Sequence, residues 1–162
     1  MTSIKFGTDG WRAIIAKEYT TDNVARVAVA TANWLKAKFP NPSLVIGYDC
    51  RFGGKMFAET AVKVFLHSGV KVYLSSDFAS TPMVSLGVKK LNTNIGVVIT
   101  ASHNPPEYNG YKLKGAYGGP MLSEQVDEIE AIIPSEHGLN LDSIKLENYP
   151  NLLVYTDLEG VY

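Results

Sequence analysis

Three short runs of this chain, Leu44 to Tyr48, "VKVYLS" at 70–75 and "IGVVITA" from Ile95 to Ala101, are almost uniformly apolar, and each follows a stretch with helical spacing. They are too short for helices, and a strand that is apolar at nearly every position needs cover on both of its faces. The intervening segments supply that cover. From Thr20 to Phe39 the residues Val24, Val27, Ala28, Ala30 and Leu35 recur along one helical face, opened by Thr and Asp as candidate N-caps. "GGKMFAETAVKVFLHSG" at 53–69 repeats the pattern through Met56, Phe57, Ala61, Val64 and Phe65, and Gly69 stands where a C-terminal cap belongs. Thr81 and Pro82 open a third helix to about Leu91, because proline is pre-organised for a first helical turn. Helices alternating with buried strands imply an α/β chain, a three-layer α/β/α sandwich around a mixed, mostly parallel sheet.

Past the third strand, "GYKLKGAYGGPM" alternates and carries glycines, which predicts a hairpin at the sheet edge, and "SEQVDEIEAII" predicts a last helix capped by Ser123. The core is expected to end near Pro134, making residues 1–134 one domain. Residues 135–162 have weak periodicity and read as an exit segment towards a second domain. A length of 162 residues suits a single core, and 46% hydrophobic with 19% charged residues argues for a folded chain. The formal net charge of −1 gives no broad footprint for nucleic acid or an anionic membrane, so an anion site has to be local. The start, "MTSIKFGTDGWR", lacks an apolar signal core, and no run is long enough to cross a bilayer. Cys50 is the single cysteine, which rules out an intramolecular disulfide and a cysteine-rich zinc site and fits a reducing cytoplasm. It is expected to be a small buried residue.

The segment "ITASHNPPEYNGYK", Ile99 to Lys112, carries the chemistry. Ser102 follows the third strand and so falls just beyond a carboxyl end of the sheet, the edge at which open α/β sheets hold ligands. Pro105 and Pro106 stiffen the exit and Asn104 can bond to backbone groups, which holds one hydroxyl at a fixed point beside the His103 imidazole. Nucleophilic or phosphoryl-carrying serine chemistry needs such fixity, whereas the same composition also suits a plain rigid turn. A serine hydrolase is disfavoured, since the nucleophile elbow G-x-S-x-G is absent. Asp49 and Arg51, two apart after a strand, are expected to pair and brace neighbouring loops.

"TASHNPPEYNGYK" resembles the active-site serine loop of the α-D-phosphohexomutases, the phosphoglucomutase and phosphomannomutase superfamily, and "FGTDGWR" at Phe6 to Arg12 and "GYDCR" at Gly47 to Arg51 stand in that family's order. The resemblance covers about residues 4–134 and implies the first of four domains. It implies that Ser102 is phosphorylated in the resting enzyme, donates the phosphoryl group to a hexose phosphate, and regains one from hexose 1,6-bisphosphate. Through that phosphate Ser102 would also be a ligand of an essential Mg²⁺. Lys112 would exchange a proton with the sugar hydroxyl, and Arg12 would stabilise phosphoryl oxygens. His103 would lie beside the phosphoserine as a further catalytic candidate, and Thr100, Asn104 and Lys112 would join Ser102 against the substrate. The D-G-D-x-D-R metal loop, the G-E-x-S-G sugar loop and the last phosphate-binding loop are absent from the chain, while "VYTDLEGVY" resembles the start of a second domain. The expectation is therefore an enzyme fragment that is inactive alone, whose partners are a hexose phosphate and three further domains of the same polypeptide. The alternative is a free-standing binding or regulatory module with the same fold.

Overall fold

The computed structural model describes residues 3–7 and 10–162. Its elements run β1 (Trp11–Ile14), α1 (Thr21–Lys38), β2 (Ser43–Tyr48), α2 (Gly54–His67), β3 (Lys71–Ser75), α3 (Thr81–Lys90), β4 (Ile95–Ile99), β5 (Tyr108–Lys114), α4 (Ser123–Ala131), β6 (Leu153–Thr156) and α5 (Leu158–Val161), with two 3-10 turns between α4 and β6. The six strands form one sheet in the order β1-β5-β4-β2-β3-β6. β4, β2, β3 and β6 are parallel neighbours, while β5 runs antiparallel to both β4 and β1. This is the expected mixed, mostly parallel sheet.

Local chemistry explains the helix ends. Thr20 caps α1, its hydroxyl accepting from the Asn23 amide at 3.1 Å. Just past the end of α2, Gly69 takes a left-handed φ of 82° and its amide donates to the Leu66 carbonyl, as a residue with a Cβ would do only at a cost. Ser80 caps α3, its hydroxyl accepting from the Met83 amide with Pro82 in the first turn.

The sheet is covered on both faces, as its apolar strands require. On one side α1, α2 and α4 enclose the larger core, in which Trp11 stacks on Tyr19 at 4.7 Å and Phe57 meets the Tyr19 ring edge-on at 4.7 Å. On the other, α3 and α5 close a smaller cluster of Val45, Ala79, Val84, Val88, Val98 and Leu158.

One strand is unanticipated and three expectations need amendment. β1 carries no strand signal of its own, because Arg12 and the short run around it alternate only once or twice, yet it pairs Arg12 with Gly110 and Trp11 with Tyr111. The edge hairpin is absent: β5 lies inside the sheet between β4 and β1, and the glycine-rich stretch after it turns back through a single bridge, Lys114 to Pro120. Ser123 is the first residue of α4 and not its cap; Leu122 precedes the helix without a side-chain cap bond. Residues beyond Pro134 do more than leave the sheet, since β6 pairs in parallel with β3 and Leu158 is buried against α3. Helical or alternating periodicity passes over β6, although Leu152 to Tyr155 is a continuous apolar run, because the run is short and isolated and, at a sheet edge, leaves Val154 and Tyr155 exposed.

Candidate active site

The parallel strands β4 and β2 end side by side, and their following loops are sewn together. The Asp49 amide donates to the Ile99 carbonyl at 3.2 Å, and the Thr100 amide donates to the Gly110 carbonyl of β5 at 3.1 Å. Ser102 follows as an exposed residue with φ of 52°, a left-handed conformation that costs an L-residue free energy. Its amide donates to the Thr100 hydroxyl at 3.1 Å, and that hydroxyl donates in turn to Asp49 Oδ2 in a short hydrogen bond. Asp49 Oδ1 meanwhile accepts from the Arg51 amide at 3.1 Å. Thr100, expected against the substrate, is buried, with its hydroxyl committed inside the loop.

Arg51 stands under the loop. Its Nη1 donates to the carbonyls of Pro105 at 2.8 Å and Tyr108 at 3.1 Å, and its Nη2 to those of Ser102 at 2.8 Å and Asn104 at 2.7 Å. The expected pairing with Asp49 exists but is loose, Nε lying 3.9 Å from Oδ2. Cys50, between them, is exposed, contrary to the expectation of a buried residue: the turn points it outward while its two neighbours bond inward.

Arg12 is half-buried on β1 and its Nη1 donates to Asn104 Oδ1 at 2.7 Å. β1 pairs Arg12 with Gly110, and Lys112 lies two residues further along β5, so both side chains leave the same face of the sheet. Lys112 is buried and pairs with Val98 of β4. The structure thus gathers Arg12, Thr100, Ser102 and Asn104 with Asp49 and Arg51, and places Lys112 on the adjoining strand. His103 is exposed and makes no side-chain hydrogen bond with the described residues.

Two supports of the loop carried little sequence signal. The Asn109 carboxamide accepts from the Gly110 amide at 2.8 Å and reaches the Phe52 carbonyl at 3.4 Å, tying β5 to the loop after β2. The Tyr19 hydroxyl donates to the Gly110 carbonyl at 2.7 Å from the buried side of the sheet. Gly110 permits this crowding, because a Cβ there would lie 2.5 Å from the Thr100 carbonyl oxygen and 2.8 Å from that of Trp11. Asn109 and Gly110 lie within the conspicuous 99–112 segment, whereas nothing in the sequence singles out Tyr19.

Among the described residues no group of three or more His, Cys, Asp and Glu side chains is placed to hold a metal ion. Asp49, the carboxylate bonded into the loop, is already engaged by Thr100 and the Arg51 amide. No helix among the described residues is long and apolar enough to cross a membrane.

Residues 3–139 match the family model of phosphoglucomutase/phosphomannomutase, alpha/beta/alpha domain I. The chain belongs to this family. It is 38% identical over 157 residues to a phosphoglucomutase of Staphylococcus haemolyticus, a match covering 90% of this chain and 28% of the relative. A phosphoglucomutase of Staphylococcus aureus is 35% identical over 140 residues, covering 85% of this chain and 25% of the relative. Among solved structures, a Thermus thermophilus protein assigned as a phosphomannomutase superposes with a TM-score of 0.81 at 38% identity, over 83% of this chain and 31% of that one. The Paramecium phosphoglucomutase parafusin shares the fold, with a TM-score of 0.76 at 20% identity over 95% of this chain and 33% of that one. The chain therefore spans between a quarter and a third of the length of these phosphoglucomutase and phosphomannomutase relatives.

Proposed function

We propose that this chain is the serine-bearing domain of a cytoplasmic phosphohexomutase, which moves a phosphoryl group between the 1- and 6-positions of an aldohexose. The observation that carries the reading is the Ser102 loop: an exposed hydroxyl beyond the carboxyl end of β4, on a backbone tied to β2, β5 and Arg51, in a member of this family. A nucleophile that must both give and receive a phosphoryl group gains from a fixed position, because each transfer requires the reacting oxygens in line.

In this reading Ser102 carries the phosphoryl group at rest. The Oγ–phosphorus bond breaks as a sugar hydroxyl oxygen bonds to phosphorus, giving hexose 1,6-bisphosphate. After the sugar turns over in the site, the other phosphoryl group returns to Ser102 Oγ. Lys112 exchanges the proton of the sugar hydroxyl, and Arg12, oriented by Asn104, lends positive charge to the phosphoryl oxygens. His103 is free to approach the phosphoserine, whereas Thr100 acts through the loop. Magnesium, when bound, neutralises charge on the transferring group. The described side chains do not form a cage for it, so what this chain offers is the phosphate on Ser102, and the other ligands belong to further domains. The isolated chain accordingly does not turn over.

The test uses the protein joined to the remaining three domains. Ser102→Ala should lose turnover almost entirely and show no phosphorylated serine loop by mass spectrometry after incubation with hexose 1,6-bisphosphate. Lys112→Ala should still be phosphorylated but transfer on the order of 10²-fold or more slowly. Normal turnover in Ser102→Ala refutes the reading and leaves the serine loop as a rigid turn.

A further inference from the structure

The geometry assigns to Arg51 the task of shaping the serine loop: its guanidinium gathers four main-chain carbonyls and so holds Ser102 in its left-handed conformation for phosphoryl transfer. This rests on the function proposed for Ser102, and Arg51 is a positioning residue within it.

The donor count is what distinguishes Arg51 from a phosphate-binding arginine. A guanidinium has five N–H groups, two on each Nη and one on Nε. All four on the Nη atoms are directed at loop carbonyls, those of Ser102, Asn104, Pro105 and Tyr108, at 2.7 to 3.1 Å. The fifth faces Asp49, whose Oδ2 is 3.9 Å away. With both Nη atoms spent on the loop, the guanidinium keeps no pair of donors to present to a phosphate, so Arg51 reaches the chemistry through the backbone of the loop.

The loop depends on the cation in return. Four carbonyl oxygens from a seven-residue stretch, 102–108, converge on one point, and their partial negative charges repel unless a positive group sits among them. The backbone's own support is two turns, the Asn104 amide on the Ala101 carbonyl and the Tyr108 amide on the Pro105 carbonyl, each at 3.0 Å, and one tie near the exit, where the Ile15 amide donates to the Glu107 carbonyl at 2.8 Å. Those two turns bracket the loop but do not demand a left-handed Ser102, whose φ of 52° is disfavoured for an L-residue. Holding the Ser102 and Asn104 carbonyls on one nitrogen fixes the Ser102–His103 and Asn104–Pro105 peptide planes, and with the first of them the backbone from which the Ser102 side chain departs. The same contacts occupy carbonyl oxygens that would otherwise repel a phosphoryl group on that serine.

A lysine cannot substitute. Its three donors radiate from one nitrogen, whereas the four carbonyls are met in pairs by two nitrogens of a planar fork. Exposure also favours a specific test, because the carbonyl contacts of Ser102 and Pro105 lie at the surface, where a small planar ion can enter.

The first measurement is hydrogen exchange by mass spectrometry on this chain, comparing the wild type with Arg51→Gly and Arg51→Lys. Both variants should exchange the 100–110 segment at least about tenfold faster, since each hydrogen bond from a charged donor is worth roughly that factor or more. The α1 and β3 segments should keep their protection. Millimolar guanidinium, but not methylammonium, should restore protection in Arg51→Gly. The second measurement is turnover in the four-domain protein, where both variants should lose kcat with little change in KM, and guanidinium should recover it in Arg51→Gly. Wild-type protection of 100–110 in Arg51→Lys overturns the inference, as does loosening spread over the whole sheet. Loosening confined to the loop with unchanged kcat also overturns it. Ser102→Ala in the same assay separates the two readings: if that variant turns over, the proposed function fails, whatever Arg51 does to the loop.

Discussion

Replacing Ser102 by glycine should stabilise the protein while removing the hydroxyl on which its proposed chemistry depends. At φ of 52° an L-residue pays about 1–2 kcal/mol relative to glycine, which has no Cβ to crowd the following carbonyl. Glycine returns part of that gain through its freer unfolded chain, about 0.4–1 kcal/mol. The net gain of Ser102→Gly over Ser102→Ala is therefore about 0.5–1 kcal/mol, or a rise of about 1–4 °C in midpoint for a chain of this size. Alanine is the proper reference, because it removes the same hydroxyl and retains the Cβ. The side chain is exposed, so neither variant opens a cavity, and the Ser102 amide keeps its bond to the Thr100 hydroxyl in both. Urea denaturation of the three proteins measures the difference. If Ser102→Ala equals or exceeds Ser102→Gly in stability, the left-handed conformation is not held in solution and the loop stores no strain at Ser102.

Other outcomes follow from the buried hydroxyl pair and the crowded glycine. Thr31 donates to the Val27 carbonyl at 2.9 Å, so in its 2.9 Å contact with Tyr111 it accepts; Thr31→Val then orphans a buried tyrosine hydroxyl and should cost about 1–3 kcal/mol in urea denaturation, more than Tyr111→Phe does. Burial raises the pKa of Tyr19, helped by the nearby Tyr111 and Asp49, and burial raises that of Tyr111 against the opposing hydrogen bond from Thr31. Unfolded tyrosine loses its proton near pH 10, so above that the unfolded state binds fewer protons and stability should fall by about 1.4 kcal/mol per pH unit for each such residue, until the folded groups titrate. Tyr111→Phe should make that alkaline fall shallower in denaturation curves taken at successive pH values. Gly110→Ala places a Cβ 2.5 Å from the Thr100 carbonyl oxygen, and should cost about 1–3 kcal/mol while speeding exchange of the Thr100 amide.

The central strands and their helices were legible because burial on both faces leaves a compositional mark: β2, β3 and β4 are apolar runs, and α1 and α2 carry one apolar face each. The elements that were not legible are held by context. β1 and β6 are the two edge strands, each paired on one side, and their residues answer to neighbours far away in the chain. β5 was seen as an alternating segment, but its place inside the sheet depends on β1 arriving beside it, which no local pattern announces. The site divides the same way. Ser102, Asn104, Arg12 and Lys112 were found through motifs, and the structure brings the first three together. For Arg51, spacing suggests that it meets Asp49 and braces neighbouring loops but cannot show four carbonyls converging on it from some fifty residues further on. Cys50 is exposed for a related reason: residue type favours burial, but a turn whose neighbours bond inward leaves its middle residue outside.

The sheet order explains why such a dispersed set of residues can form one site at all. Arg12 comes from β1, Lys112 from β5, Ser102 from the end of β4, and Asp49 and Arg51 from the end of β2, four strands that are consecutive across the sheet. Parallel β4 and β2 bring two carboxyl ends together, which suffices for the serine loop and its arginine. The antiparallel return of β5 then carries the chain back through the same edge, so that Gly110 meets Thr100 and presents its other flank to Arg12. The bonds that define the site cross long stretches of chain, 92 residues from Arg12 to Asn104 and 53 from Arg51 to Asn104. Contacts of that separation offset their closure entropy only when the strands beneath them are already paired. The loop's local turns therefore do not suffice to fix its shape, and any change that parts β4 from β5 or β2 should loosen Ser102 before it exposes either core.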